Sequence, residues 1–414
     1  MPPINSLRTL RSSPSLRSTY RPTIYLCASR PLSSEASRID KSKLDEPKIY
    51  RSNSLDPYFN LSFEDWLFRK TPNSTPTLLF YRNRSCVVIG KNQNPWKETN
   101  PDLLERDGIP LIRRRSGGGT VYHDEGNINF SILVPRHLFT RSLGSGIIET
   151  ALKDRLGIGR AGVNERGDLI LWDKDDGNRD KGSSGGSERI DESRSGQDRK
   201  WKKISGSAYK IVAQRAYHHG TMLISSDLGS LGTYLRSKSP DLVTKSVDSV
   251  RSPVTTLRSA RPDVTHDDFV HAVAEEFHRV FSKDTQTTPA SDFDRRIIEQ
   301  IDEKALKGDA DRSNYIQQGI SELKSWDWTY GSTPEFYRDL HVNLPSGPIH
   351  LLITSKHALV THVEALTRDI SPKSHEAIET LRSRLLGRTY GRSPEGDFDQ
   401  LVNQAISDIH GTLS

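Results

Sequence analysis

The sequence predicts an α+β fold with two globular domains, and three observations carry that reading. Short β-rich runs are joined by short loops. Helical stretches fall unevenly between them, unlike the regular alternation of a parallel βαβ sheet. The chain has 414 residues, 33% hydrophobic and 27% charged, too long for one typical domain and comfortable for two. The β-rich runs are residues 78–81, 87–89, 128–134, 169–171 and 217–224, with helices expected at 61–69 and 267–281. Together they outline a first domain over residues 45–285.

Thr and Pro around 283–291 mark a linker, and a smaller α+β domain is expected over 291–414. It should hold helices near 293–301 and 314–323, alternating strands at 341–344 and 349–354, and a helix near 374–385. Trp326-Asp327-Trp328 reads as core packing plus a turn. Residues 173–200 carry Gly, Ser, Asp, Glu, Arg and Lys with almost no apolar side chains. Such a segment cannot offset the entropy of ordering, so it reads as a disordered surface insert.

Residues 1–38 read as a mitochondrial transit peptide, with the matrix as destination. They hold Arg8, Arg11, Arg17, Arg21 and Arg30 among many serines, and no acid precedes Glu35. Much of the net charge of +6 sits in this leader, and the aromatics show no stacking platform, so a nucleic-acid binder is disfavoured. No apolar run approaches the roughly 18 residues of a membrane span. The two cysteines, Cys27 and Cys86, are too few for a disulfide framework or a zinc site. Cys86, inside Cys-Val-Val-Ile, reads as a buried strand residue rather than a reactive thiol.

The chemistry concentrates in residues 113–130, Arg-Arg-Arg-Ser-Gly-Gly-Gly-Thr-Val-Tyr-His-Asp-Glu-Gly-Asn-Ile-Asn-Phe. Glycines Gly117, Gly118 and Gly119 let backbone N–H groups approach a ligand closely, and neighbouring guanidinium groups suit phosphate or carboxylate oxygens. No Lys-Ser/Thr follows the glycines, so a Walker A loop is disfavoured. A second candidate is 202–210, where Ile204, Gly206 and Ala208 alternate with polar residues as on a half-covered strand. There Lys203 can project its charge into a cleft, while Lys202 and Lys210 read as a solvated basic patch. In the third, His218-His219-Gly220-Thr221, the two imidazoles of a strand face opposite ways and are not expected to chelate together.

With these motifs in hand, the chain resembles the lipoate-protein ligase A and lipoyltransferase family, as a fungal-type mitochondrial member. Besides 113–130, the resemblance rests on 56–61, 87–98, 203–209, 218–221 and 249–255, with Ser325-Trp326-Asp327-Trp328 opening an accessory C-terminal domain. It implies a biotin/lipoate-ligase-like, mainly antiparallel catalytic sheet that joins lipoate to AMP and passes the acyl group to a lysine of a lipoyl domain. ATP and Mg²⁺ are then required. The implied partners are E2 lipoyl domains of 2-oxoacid dehydrogenases and the glycine cleavage H protein, and a monomer is expected.

By the same resemblance, Lys203 is the catalytic lysine. Arg114, Gly117, Gly118, Gly119, Thr120, Val121 and Tyr122 wrap the adenylate, and Asp168 is a Mg²⁺ ligand. Arg82, Gly90, His123 and His219 line the lipoate pocket. Where the family tends to read Arg-Asn-Asp-Leu, this chain has Arg166-Gly167-Asp168-Leu169, which removes a polar side chain near the phosphates. Relatives of both kinds share the signature loop, so a lipoyl or octanoyl transferase using lipoyl-AMP, an acyl-CoA or an acylated carrier protein is the alternative. A non-catalytic lipoyl-domain binder is disfavoured by the intact Lys203 and glycine loop.

Overall fold

The computed structural model describes residues 36–173, 200–283 apart from Lys238 and Pro240, 295–367 apart from 345 and 346, 371–393, and parts of 396–407. The expected leader up to residue 35 and the expected insert from 174 to 199 lie outside the described residues. Six strands build the main sheet: β1 (Lys48–Ser52), β2 (Thr77–Tyr81), β6 (Asn127–Pro135), β10 (Ser207–Ile211), β11 (Arg215–Leu223) and β13 (Ile298–Ile301). Their order is β10-β11-β6-β2-β1-β13. The β10 to β2 half is antiparallel, and β1 runs parallel to both its neighbours.

Helices cover both faces of this sheet. On one face α2 (Arg141–Thr150) and α3 (His266–Phe281) pack on Leu78, Phe80, Phe130 and Ile132. On the other, α1 (Pro57–Lys70) and α4 (Ala310–Lys324) pack on Leu79, Tyr81, Leu133 and Tyr217. Leu78 and Phe80 thus face one way and Leu79 and Tyr81 the other, as strand geometry requires. A strand covered on both faces needs no polar alternation, which is why 78–81 reads as an unbroken apolar run. Local signals start the helices. Asp56 caps α1 through the Tyr58 amide with Pro57 in the first turn, and Thr265 with Asp268 forms a capping box before α3.

Two small sheets stand beside the main one. The first contains β3 (Cys86–Ile89), β4 (Leu111–Arg113) and β5 (Val121–His123); the second contains β7 (Ala161–Val163), β8 (Leu169–Trp172) and β9 (Trp201–Lys203). A fourth sheet of β12 (Leu242–Thr244), β14 (Phe336–Leu344), β15 (Gly347–Lys356) and β16 (Leu359–Ala365) packs with α5 (Pro372–Leu385) around a separate core.

The structure departs from the sequence reading at the junction of the two bodies. Residues 293–301 were expected to be helical, yet 298–301 form β13, because Ile298 and Ile301 find burial against the sheet edge beside β1. Strand β13 and helix α4, drawn with the C-terminal body at the sequence level, pack with the first body. Conversely, β12 pairs with β14 in the fourth sheet. The stretch 202–210 is two strands rather than one, broken at residues 204–206.

Candidate active site

The loop after β4 is held from beneath by arginines. Arg113 is fully buried and donates to the carbonyl oxygens of Lys91 (2.8 Å), Gln93 (2.7 Å) and Thr329 (2.7 Å) and to Thr333 Oγ1 (3.0 Å). It therefore clamps the loop to the Trp-containing segment, whose Trp328 Nε1 donates to the Arg113 carbonyl at 2.8 Å. Arg114 turns into the loop and donates to the carbonyls of Gly117 (2.6 Å), Gly119 (2.8 Å) and Val88 (3.2 Å). Burial lowers its guanidinium pKa to about 10, so it stays charged at neutral pH. Its partners are dipoles rather than carboxylates, which leaves its charge available to an anionic ligand.

The three glycines are not equivalent. Gly118 has φ +88°, a region that favours glycine. A Cβ on Gly90 would stand 2.1 Å from the Gly118 carbonyl oxygen, whereas one on Gly117 would meet nothing within 4 Å. Ser249 closes the loop from the opposite side, accepting from the Thr120 amide at 2.9 Å and from Gln93 Nε2 at 3.0 Å while donating to Glu98.

Lys203 ends β9, with its Nζ 2.9 Å from Asp168 Oδ1. Its backbone is fixed by the segment 253–255: the Lys203 amide donates to Pro253 O at 2.8 Å and its carbonyl accepts from Thr255 N at 2.9 Å. Asp168 is 4% exposed, and its second oxygen is buried without a hydrogen-bond partner among the described residues. A tight turn precedes it, with Asn164 Oδ1 accepting from the amides of Arg166 and Asp168. At φ +80°, Gly167 occupies the left-handed position of that turn, where glycine or asparagine fits best. The departure at Gly167 therefore keeps the backbone and drops only the side chain.

Two histidines join a buried polar layer under the loop. His219 Nδ1 lies 3.0 Å from the Glu64 carboxylate, and its Nε2 lies 2.8 Å from Ser116 Oγ. Because the carboxylate only accepts, the network assigns the proton to Nδ1. His123 bonds Asn83 at 2.9 Å, and burial lowers its pKa to about 3, with the Arg114 charge adding to the effect. His218 faces away, packed against Phe130 and Tyr209, so the pair does not chelate. Cys86 is fully buried, and burial pushes its thiol pKa up, which suits packing rather than nucleophilic attack.

These elements enclose two adjoining cavities of about 300 and 500 Å³. The smaller is lined by Arg114, Gly118, Gly119, His123, Asp168 and His219, the larger by Tyr122, and both by Thr120, Val121 and Lys203. Three expected residues do not line either cavity. Arg82 donates to the Glu125 carbonyl at 3.3 Å instead, while Gly90 and Gly117 lie behind the loop as its backing and turn. Lys210, expected in a solvated patch, is paired with buried Asp65 at 3.1 Å and lies over the Phe68 ring.

The sequence reading also missed Glu64. Its signal was present: it stands a helical turn after Leu61 and before Leu67 and Phe68, on the apolar face of α1. Arg113, for which no separate role was expected, gave no such signal, since its partners come from residues 91–93 and 329–333.

Fold and site together define a class: a mixed-sheet protein whose glycine loop, Lys203 and Asp168 line one cavity. Residues 56–278 match the lipoyl protein ligase A/B catalytic domain family. The chain is 33% identical over 363 residues to a lipoate-protein ligase A of Psychrobacter cryohalolentis, covering 87% of this chain and 94% of the relative. It is 36% identical over 307 residues to a putative lipoate-protein ligase A of Schizosaccharomyces pombe, covering 71% and 74%. Its fold matches the crystal structure of P. falciparum LipL1 in complex with lipoate at a TM-score of 0.53 and 23% identity, covering 89% of this chain and 99% of that one. The chain belongs to the lipoate-protein ligase A family and is an enzyme of the ligase or lipoyltransferase type.

Proposed function

We propose that this chain activates lipoate with ATP and transfers the lipoyl group to the acceptor lysine of lipoyl domains. The observation that carries the reading is Lys203, which lines both cavities and shares the smaller one with Arg114 and the glycine loop. In the first step a lipoate carboxylate oxygen bonds to the α-phosphorus of ATP and the bond to pyrophosphate breaks. In the second, the acceptor amine bonds to the acyl carbon, AMP leaves, and one proton is released. Lys203 offsets charge on the α-phosphate and on the acyl oxygen in both steps, and the loop amides hold the nucleotide, so positioning and electrostatics supply the rate. Asp168 orients the Lys203 ammonium through Oδ1.

The donor set fits a Mg²⁺ that is bound mainly through nucleotide phosphates, with the unpartnered Asp168 Oδ2 as the protein ligand. When bound, that ion neutralises the departing pyrophosphate.

Incubating the protein with lipoate, Mg-ATP and an apo lipoyl domain should release pyrophosphate and add a lipoyl mass to the domain. Gly167 favours one second reading, a transferase that takes a preformed donor, because the turn beside Asp168 offers the phosphates no side chain. Modification only when lipoyl-AMP, an acyl-CoA or an acylated carrier is supplied would replace the ligase reading with that one. E2 lipoyl domains and the glycine cleavage H protein are the acceptors to assay, with the enzyme acting as a monomer. The acid-free, Arg- and Ser-rich first 34 residues support import into the mitochondrial matrix, tested by fusing them to a reporter.

A further inference from the structure

The fourth sheet carries a cluster that the lipoylation reading does not use. Asp339 and His341 lie two residues apart on β14, and His341 is directly opposite His350 on β15. Strand side chains alternate between faces, so all three project from one side of the sheet. That side is the open one. On β15 the neighbouring Ile349, Leu351 and Ile353 are buried in the core, while His350 and Leu352 stay partly exposed. His350 Nε2 bonds Asp339 Oδ1, and His341 Nε2 lies 3.8 Å from the same oxygen. The two imidazoles stack with centroids 4.3 Å apart. One ligand atom from each residue falls within 4.8 Å of the other two, and among the described residues this is the one such grouping of three.

We propose that Asp339, His341 and His350 form a binding site for a divalent transition-metal cation of the zinc class. Two imidazoles and one carboxylate form a donor set that suits Zn²⁺ and its first-row neighbours rather than Mg²⁺ or Ca²⁺. Zn–N and Zn–O bonds of about 2.0–2.1 Å in a tetrahedral site separate ligand atoms by about 3.3 Å. The His341–Asp339 gap need close by only about 0.5 Å from its 3.8 Å, within reach of an exposed side chain. The cation would replace the His350–Asp339 hydrogen bond with two coordinate bonds and tie β14 to β15. Exposure of the His341 side chain, 77%, leaves a fourth position open to water. The site is remote in sequence from the glycine loop and Lys203 and does not depend on the acyl-transfer reading.

The test is titration of the full chain with Zn²⁺ by calorimetry and with Co²⁺ by visible absorption, alongside the single variants His341→Ala and His350→Ala and the double variant. One ion per chain is expected, with a cobalt d–d band of low-coordinate type. Each single variant should bind about ten-fold or more weakly, while lipoyl transfer stays unchanged. His341→Ala alters an exposed side chain, so its circular dichroism and unfolding midpoint without metal should match the parent protein. Equal binding by parent and double variant would overturn the site, as would an absence of cobalt absorption in the parent.

Discussion

Replacing Gly90 by alanine tests whether the glycine loop's position sets the rate. The new Cβ would lie 2.1 Å from the Gly118 carbonyl oxygen, where real contacts are at least 3.0 Å. One of the two backbones must then retreat by about 0.9 Å. A Cβ on Gly118 would itself meet Arg114 Nη2 at 2.8 Å and Ala208 Cβ at 2.9 Å, so that residue too is closely surrounded. A misplacement of about 1 Å can cost on the order of 100-fold in rate, so Gly90→Ala should lower kcat/KM for lipoyl transfer by about that factor. Gly117→Ala, in the same loop, meets nothing within 4 Å. It should leave kcat/KM unchanged and, by reducing unfolded-state freedom, raise stability by up to about 1 kcal/mol. Both are read by initial rates of domain modification and by thermal unfolding. A Gly90→Ala enzyme within two-fold of the parent (roughly the scatter expected for a neutral change), or equal losses in the two variants, would refute the reasoning.

Four further outcomes follow from the same geometry. Lys203→Ala should reduce single-turnover acyl transfer by about 10²–10³-fold with an unchanged circular-dichroism spectrum; near-normal transfer would remove Lys203 from the mechanism. Gly167→Asn places a residue that tolerates positive φ in the Asp168 turn, with its Cβ 2.9 Å from the Tyr209 hydroxyl, which must swing aside; one new hydrogen bond of about 1 kcal/mol should lower the KM for ATP several-fold, whereas an unchanged KM would show that the missing side chain is irrelevant. His218 is buried with neither nitrogen hydrogen-bonded among the described residues, and burial lowers its pKa from 6.5 to about 3. Its contribution to stability is therefore full above pH 6.5 and lost as pH falls toward 3; urea midpoints at pH 7 and pH 4.5 should differ less in His218→Leu than in the parent. Trp172 pairs with Trp201, and the Asp173 amide donates to the Lys200 carbonyl at 3.0 Å, so replacing 174–199 with a short turn should leave unfolding cooperative and lipoyl transfer intact.

Much of the site was legible because its signals are local. The glycine run as a close-approach loop and the opposed faces of His218 and His219 follow from residue type and strand period, whereas which glycine takes positive φ, and that Lys203 ends a strand rather than entering one, did not. Strands 78–81 and 128–134 were legible for the same reason. The Lys203–Asp168 pair was foreseeable only as two separate residues, since 34 positions of chain separate them and only the β8–β9 pairing brings them to 2.9 Å.

The opening motif shows where local information ends. By itself the sequence determined that Arg-Arg-Arg-Ser-Gly-Gly-Gly is a close-approach loop, because glycine lacks a Cβ and arginine carries a fixed charge. It also determined the family, through ordered matches along the chain. Only the tertiary structure decided what each residue in the run does. Arg113 became a buried clamp on the Trp-containing segment, Arg114 the brace of the glycine carbonyls, and Arg115 an ion-pair partner of Asp65 and Glu322. Likewise, Ile298 and Ile301 became a strand at the edge of the main sheet rather than a helix. For Arg113, Arg115 and strand β13 the deciding partner lies far away in sequence, whereas Arg114 closes on carbonyls three and five residues on; for the arginines, burial makes an unpaired donor too costly for the fold to leave the choice open.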